Sequence, residues 1–142
     1  MTVTTTSEAI VMAFMHALEA KDHDKIAELL APNLHYTNVS LPTIVGGQRV
    51  ANLFEVLLRR GTGFSVQIHS LAVNGDVVLT ERTDMIKVGS LHIAFWVCGT
   101  FRVQDGKIVL WRDYFDWLDI SKGMLRGIAG IVVPKLRVVL PQ

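Results

Sequence analysis

The sequence predicts an α+β fold, with a curved mixed, mainly antiparallel sheet forming a cone-shaped pocket and packed against N-terminal and inserted helices. Three observations carry this expectation. Residues 7 to 60 contain stretches whose apolar residues recur at helical spacing. From residue 64 the stretches read as strands, divided by Asn74-Gly75, Gly89-Ser90 and Asp105-Gly106, dipeptides that favour hairpin turns. Helices first and an antiparallel meander last, with one strand between the helices, is the order of a domain whose helices cover one face of a sheet.

The elements follow in turn. SEAIVMAFMHALEAK, from Ser7, predicts a helix capped by Thr5 or Ser7, with Ile10, Val11, Phe14 and Leu18 in one stripe. A shorter helix is expected around Asp24 to Leu30, ending before Pro32, and LHYTNVS from Leu34 reads as a strand. Gly46-Gly47 turns the chain into VANLFEVLLRR, an amphipathic helix through Val50, Leu53, Phe54, Leu57 and Leu58, with Gly61 as its C-terminal cap. Arg59-Arg60 then lies where a helix dipole favours positive charge. FSVQIHSLAV, VVLTERTDMIKV, LHIAFWVCGTFRV and KIVLWRDYFDW supply the meander. The tail from Gly123 is apolar, but its longest charge-free run, Gly127 to Pro134, is far short of the ~20 residues of a membrane span. Contact of the tail with a membrane surface or a second subunit stays open.

Composition narrows the function. The 142 residues predict a single domain over 1–142, half hydrophobic and 19% charged, so a packed core is expected. A net charge of +1 offers no basic footprint, and no nucleic-acid partner is expected. The lone Cys98 precludes an internal disulfide, and MTVTTTSEAI lacks the pattern of a secretory signal, which together point to the cytoplasm. The five histidines show no metal-ligand spacing, and Gly46-Gly47 lacks the rest of a nucleotide-binding loop, so neither a metal nor a cofactor is expected.

The informative residues are polar ones on strands that are otherwise apolar. Side chains two apart on a strand share a face. Arg82 and Asp84 therefore point the same way as Val78, Thr80 and Ile86; Tyr36 and Asn38 share a face; and Asp113 points with Trp111 and Phe115. These charges either stand on a solvated outer face or converge in a pocket. In a pocket they must be paired with one another, because isolated buried charges cost more than a small domain can spare. Arg82 has the donors to hold both carboxylates. Two carboxyls bridged in this way share their protons, so that one serves as acid and the other as base.

Y-T-N at 36 to 38, LTERTD at 79 to 84 and WRDYFD at 111 to 116 resemble the limonene-1,2-epoxide hydrolase family. The resemblance runs in element order from about Ser7 to Lys122, and FWVCG at 95 to 99 with the apolar tail is similar to the mycobacterial branch. The wider nuclear-transport-factor-like, SnoaL-like superfamily shares the cone fold without this triad. The resemblance implies a one-step, metal-free hydrolysis of an epoxide to a vicinal diol. In it Asp113 is the general base, Tyr36 and Asn38 hold the water, Asp84 protonates the epoxide oxygen and Arg82 bridges the aspartates. It also implies a homodimer. The abundance of apolar side chains favours a lipophilic epoxide of terpenoid, fatty or sterol type; Met12, Met15, Leu34, Phe54, Leu57, Phe95, Trp96, Phe115 and Leu125 are candidates for core or pocket wall. Trp111 and Trp117 are read as packing residues. Two other readings share the scaffold. One is a steroid isomerase-like or polyketide cyclase-like enzyme, which needs one carboxylate and gives no reason for the Arg82 bridge. The other is a non-catalytic domain binding a lipophilic ligand, which would tolerate asparagine at 84 or 113.

Overall fold

The computed structural model describes residues 6–141. Helix α1 (Ser7–Ala20) is capped by Thr6, whose hydroxyl accepts from the Ala9 amide at 3.1 Å. The cap is thus neither of the expected residues; Ser7 opens the helix itself, and Thr5 lies outside the described residues. Helix α2 (His23–Leu29) runs directly into strand β1 (Leu30–Asn38), which begins earlier than expected and carries Pro32 within it. Strand β2 (Ile44–Val45) precedes helix α3 (Gly47–Leu57). Strands β3 (Thr62–Asn74), β4 (Val77–Val88), β5 (Leu91–Gln104) and β6 (Lys107–Phe115) form the meander.

The six strands make one sheet in the order β2-β1-β6-β5-β4-β3. Only β1 and β6 pair in parallel; the other neighbours are antiparallel. Register shifts in β1, between Ile68 and Ser70 in β3, and between Ile108 and Leu110 in β6, opposite Arg102/Val103 of β5, interrupt the ladders, and such irregularities bend a sheet. The concave face receives α1, whose buried stripe of Ile10, Val11, Phe14 and Leu18 meets Phe101 and Trp111.

Two boundaries differ from expectation. Helix α3 stops at Leu57, three residues before Arg60, and the Leu58 amide closes it by bonding to the Phe54 carbonyl. Arg59-Arg60 and Gly61 therefore lie beyond the helix, and Gly61, at φ 90°, turns the chain into β3. The β3–β4 hairpin pairs Asn74 with Val77, so its turn is Gly75-Asp76, one residue later than expected. The other two turns fall on Gly89-Ser90 and on Asp105-Gly106.

The larger difference is helix α4 (Trp117–Val132), which occupies most of the apolar tail; a short 3-10 turn, Pro134–Leu136, follows it. Asp116 starts α4 by accepting from the Leu118 amide at 2.8 Å. Gly123, Gly127 and Gly130 form its buried face, and they permit very close packing. A Cβ on Gly123 would overlap the Ala94 carbonyl of β5, and one on Gly127 would come within 2.6 Å of the His92 carbonyl. Gly123→Ala, although it adds about 1 kcal/mol of helix propensity, is expected to destabilise the protein by about 1–3 kcal/mol through this overlap. Urea denaturation compared with wild type checks the sign.

Candidate active site

Strand register assembles the site. Thr80 on β4 lies opposite Gly99 on β5, Gly99 opposite Asp113 on β6, and Asp113 opposite Asn38 on β1. One row therefore crosses four strands. In the neighbouring row Phe101 faces Trp111, and Trp111 faces Tyr36. Arg82 and Asp113 are on strands separated by β5, so the guanidinium must reach across that strand. It does so over Gly99, where the absence of a side chain opens the way: a Cβ there would overlap Arg82 Nη1 and stand 2.7 Å from Asp113 Oδ1 and 3.1 Å from Thr80 Oγ1.

Arg82 is 1% exposed and is the largest fully buried side chain in the described chain. Its Nε donates to Asp84 Oδ1 at 2.8 Å, and Nη2 donates to Asp84 Oδ2 at 3.1 Å and to Asp113 Oδ2 at 2.7 Å. Nη1 donates to Thr80 Oγ1 at 3.1 Å. The remaining Asp113 oxygen, Oδ1, accepts from the Trp111 indole N–H at 2.9 Å. The expected pocket, not a solvated face, is what these strands build, and each buried charge has partners.

Electrostatics follow from burial. Asp84 is pushed up to about 6, because desolvation outweighs the guanidinium beside it; Asp113 and, more weakly, Glu19 of α1 push the same way. Burial likewise raises Asp113, against the pull of Arg82 and the Trp111 hydrogen bond. For Arg82 burial works against the charge, but the two carboxylates override it and hold the guanidinium protonated above its ordinary range. Tyr36 is held as a neutral phenol by burial and by the charge of Asp113. The group is thus one fixed cation, a pair of carboxyls whose ionisation burial disfavours, and a phenol that keeps its proton.

The carboxyls open on a cavity of about 390 Å³, whose wall also includes Tyr36 and Asn38. The Tyr36 hydroxyl lies 3.1 Å from Asn38 Oδ1 and 2.9 Å from Nδ2, so each side chain fixes the other. The rest of the wall is apolar. Of the nine candidates, Phe54, Leu57, Phe95 and Phe115 line it. Met15 and Leu34 are fully buried, away from it, whereas Trp96 stacks on His69 at the surface and Leu125 is 69% exposed. Trp111 and Trp117 line the cavity in addition to packing, and Ile120 and Met124 come from α4 with Trp117. Ile120 and Met124 escaped sequence reading, and Trp117 was read only as packing, although Asp116 as a helix cap and apolar positions at 117, 120 and 124 were a usable signal. Thr80 and Gly99 were equally missed as supports of the site; only their cross-strand partners reveal their place.

A family model described as "Limonene-1,2-epoxide hydrolase catalytic domain" matches residues 5–126. Over 130 residues the chain is 48% identical to "Epoxide hydrolase EphG" of Mycobacterium tuberculosis, covering 92% of this chain and 87% of that protein. A solved M. tuberculosis LEH-like epoxide hydrolase superposes with a TM-score of 0.91 at 44% identity, across 96% of this chain and all of the other. A putative SnoaL-like polyketide cyclase from Shewanella denitrificans shares the fold alone, with a TM-score of 0.75 at 13% identity, over 84% of this chain and 96% of that one.

Proposed function

The chain belongs to the limonene-1,2-epoxide hydrolase family, and we propose that it adds water to a lipophilic epoxide in one metal-free step, giving a vicinal diol. Epoxide hydrolysis is the activity of the family; the roles of individual residues and the substrate class are our reading. The observation that carries it is the Arg82 fork holding two carboxyls, Asp84 and Asp113, in the wall of an otherwise apolar cavity. In the reactive state the pair retains one proton. Asp113, ionised, takes a proton from a water held with Tyr36 and Asn38. The water oxygen bonds to an epoxide carbon as the ring C–O bond breaks, and Asp84 gives its proton to the leaving oxygen. Ring strain supplies driving force, so the protein has only to position water and deliver a proton. Proton exchange between the carboxyls through solvent resets the site.

The apolar wall favours terpenoid, fatty or sterol epoxides over charged metabolites. The test is diol formation from a panel of such epoxides by wild type, Asp84→Asn and Asp113→Asn. Turnover lost in both folded variants is the expected result. Wild-type protein that binds but opens no epoxide would leave a lipophilic-ligand carrier instead.

We further propose a homodimer acting in the cytoplasm. Leu118, Leu125, Ile128 and Val132 on the outward side of α4 are exposed in the single chain, an apolar surface of the kind that proteins cover. Among the described residues no helix is long and apolar enough to cross a membrane. Sizing in solution checks the dimer, and co-sedimentation with lipid vesicles tests the other contact open to that surface. The lone thiol, Cys98, has no partner for an internal disulfide, which suits a reducing compartment.

A further inference from the structure

We infer that Trp111 is a positioning residue for the base, its indole N–H fixing the Asp113 carboxylate and keeping the shared proton on Asp84. This rests on the reading of Asp113 as base, and it assigns a residue that the triad and the water-holding pair do not include. Each oxygen of Asp113 has one donor: Oδ2 accepts from Arg82 Nη2 at 2.7 Å and Oδ1 from Trp111 Nε1 at 2.9 Å. Two donors on opposite oxygens fix the plane of the carboxylate, and with it the direction of the lone pairs that face the water. Asp84, by contrast, takes both of its bonds from Arg82. Without the indole, Asp113 would have one donor against two for Asp84. The two carboxyls are almost equally buried, so the donor count would then leave the proton on Asp113, which is the wrong arrangement for removing one from water.

The indole can hold that line because its own ring is locked. Phe14 meets it edge-on at 4.9 Å between centroids, Phe54 stacks at 5.4 Å and Phe101 at 6.0 Å, and Tyr36 lies against it at 4.3 Å. The N–H is therefore preorganised, a donor already aimed at the charge it stabilises. It is also neutral, so it favours the anion without adding a second cation that would favour ionisation of both carboxyls. The other groups facing Asp113 are Arg82 and Asp84 from β4 and Tyr36 from β1. From β5 Gly99 presents no side chain, and α1 contributes Glu19, whose charge acts on Asp84.

The decisive variant is Trp111→Phe, which keeps a ring and removes the N–H. Its expected signature is a kcat lower by about tenfold, a KM within about twofold because little apolar wall is lost, and an ascending limb of the pH–rate profile moved to higher pH. A kcat and a limb equal to wild type would overturn the inference. A second measurement needs no change at position 111. The three tryptophans give three indole N–H resonances, which Trp96→Phe and Trp117→Phe assign by elimination. In wild-type protein the Trp111 resonance is expected to move with pH at the midpoint of the ascending limb, as a donor to the base must. A resonance that ignores that transition also overturns it, even if Trp111→Phe fails to fold. Asp113→Asn separates this failure from the other: if that variant still turns over, Asp113 is not the base and the reading beneath the inference falls, whatever the indole does.

Discussion

Asp84→Asn is expected to lower kcat by about 10²–10⁴-fold, the usual worth of a positioned general acid, while leaving the fold at least as stable as wild type at pH 7. The two effects have one cause. Asp84 titrates near 6 in the folded protein because burial disfavours its charge, against about 3.9 in an unfolded chain. Between those values the native state binds more protons than the unfolded state. Stability from this group is therefore complete below about pH 4 and is lost as pH rises through about 6. Above that range wild type carries a carboxylate that its surroundings resist. Asparagine has no such charge, and the Arg82–Asp113 pair that remains is balanced. Urea midpoints at pH 5 and pH 8, read beside diol formation, make the comparison: the advantage of the variant should grow with pH. A variant less stable than wild type at pH 8 would mean that the Arg82–Asp84 bonds outweigh desolvation. Turnover by wild type should rise as the pair loses its first proton and fall as it loses the second, giving a bell.

Much of this was legible in the sequence, for physical reasons that differ from element to element. Period-two alternation is rigid, so placing Arg82 with Asp84, Tyr36 with Asn38 and Asp113 with Trp111 needed no coordinates. Hairpin chemistry at Gly89-Ser90 and Asp105-Gly106 fixed how β4, β5 and β6 follow one another, and hence that those faces meet. Cross-strand register is different: nothing local says that Gly99 stands opposite Asp113, because bulges such as that opposite Arg102/Val103 shift the pairing. Helix α4 hid for another reason. Its buried side consists of glycines, so the usual apolar stripe is missing there, while Trp117, Ile120 and Met124 face the cavity and Leu125 faces outward. The apolar period at 117, 120 and 124 was there to read, but glycines at 123, 127 and 130 read as helix breakers and masked it. The extra support from Trp111 needed the direction of its N–H, which strand parity does not give.

Arg82→Leu is expected to be the most destabilising change in the site, by about 3–5 kcal/mol at pH 7, because it leaves buried carboxylates without their cation. Leucine is shorter than arginine and also abandons Thr80, so part of the loss is packing. The electrostatic part can be isolated by acid. With the guanidinium gone, burial acts unopposed on Asp84 and against the Trp111 hydrogen bond alone on Asp113, and moves both further up from the ordinary carboxylate range. The penalty should therefore shrink below about pH 4, where folded and unfolded chains alike hold these groups protonated. It should also shrink at neutral pH when Asp84→Asn and Asp113→Asn are added, since an all-neutral cluster has no charge to leave stranded. A deficit that ignores both acid and the added asparagines would assign the loss to packing alone. If the recovery occurs, the neutral triple variant folds without the ion network, and what the network contributes is the proton arrangement that opens the epoxide. A buried arginine between two aspartates is then kept at a cost to stability, and the reaction is the reason for keeping it.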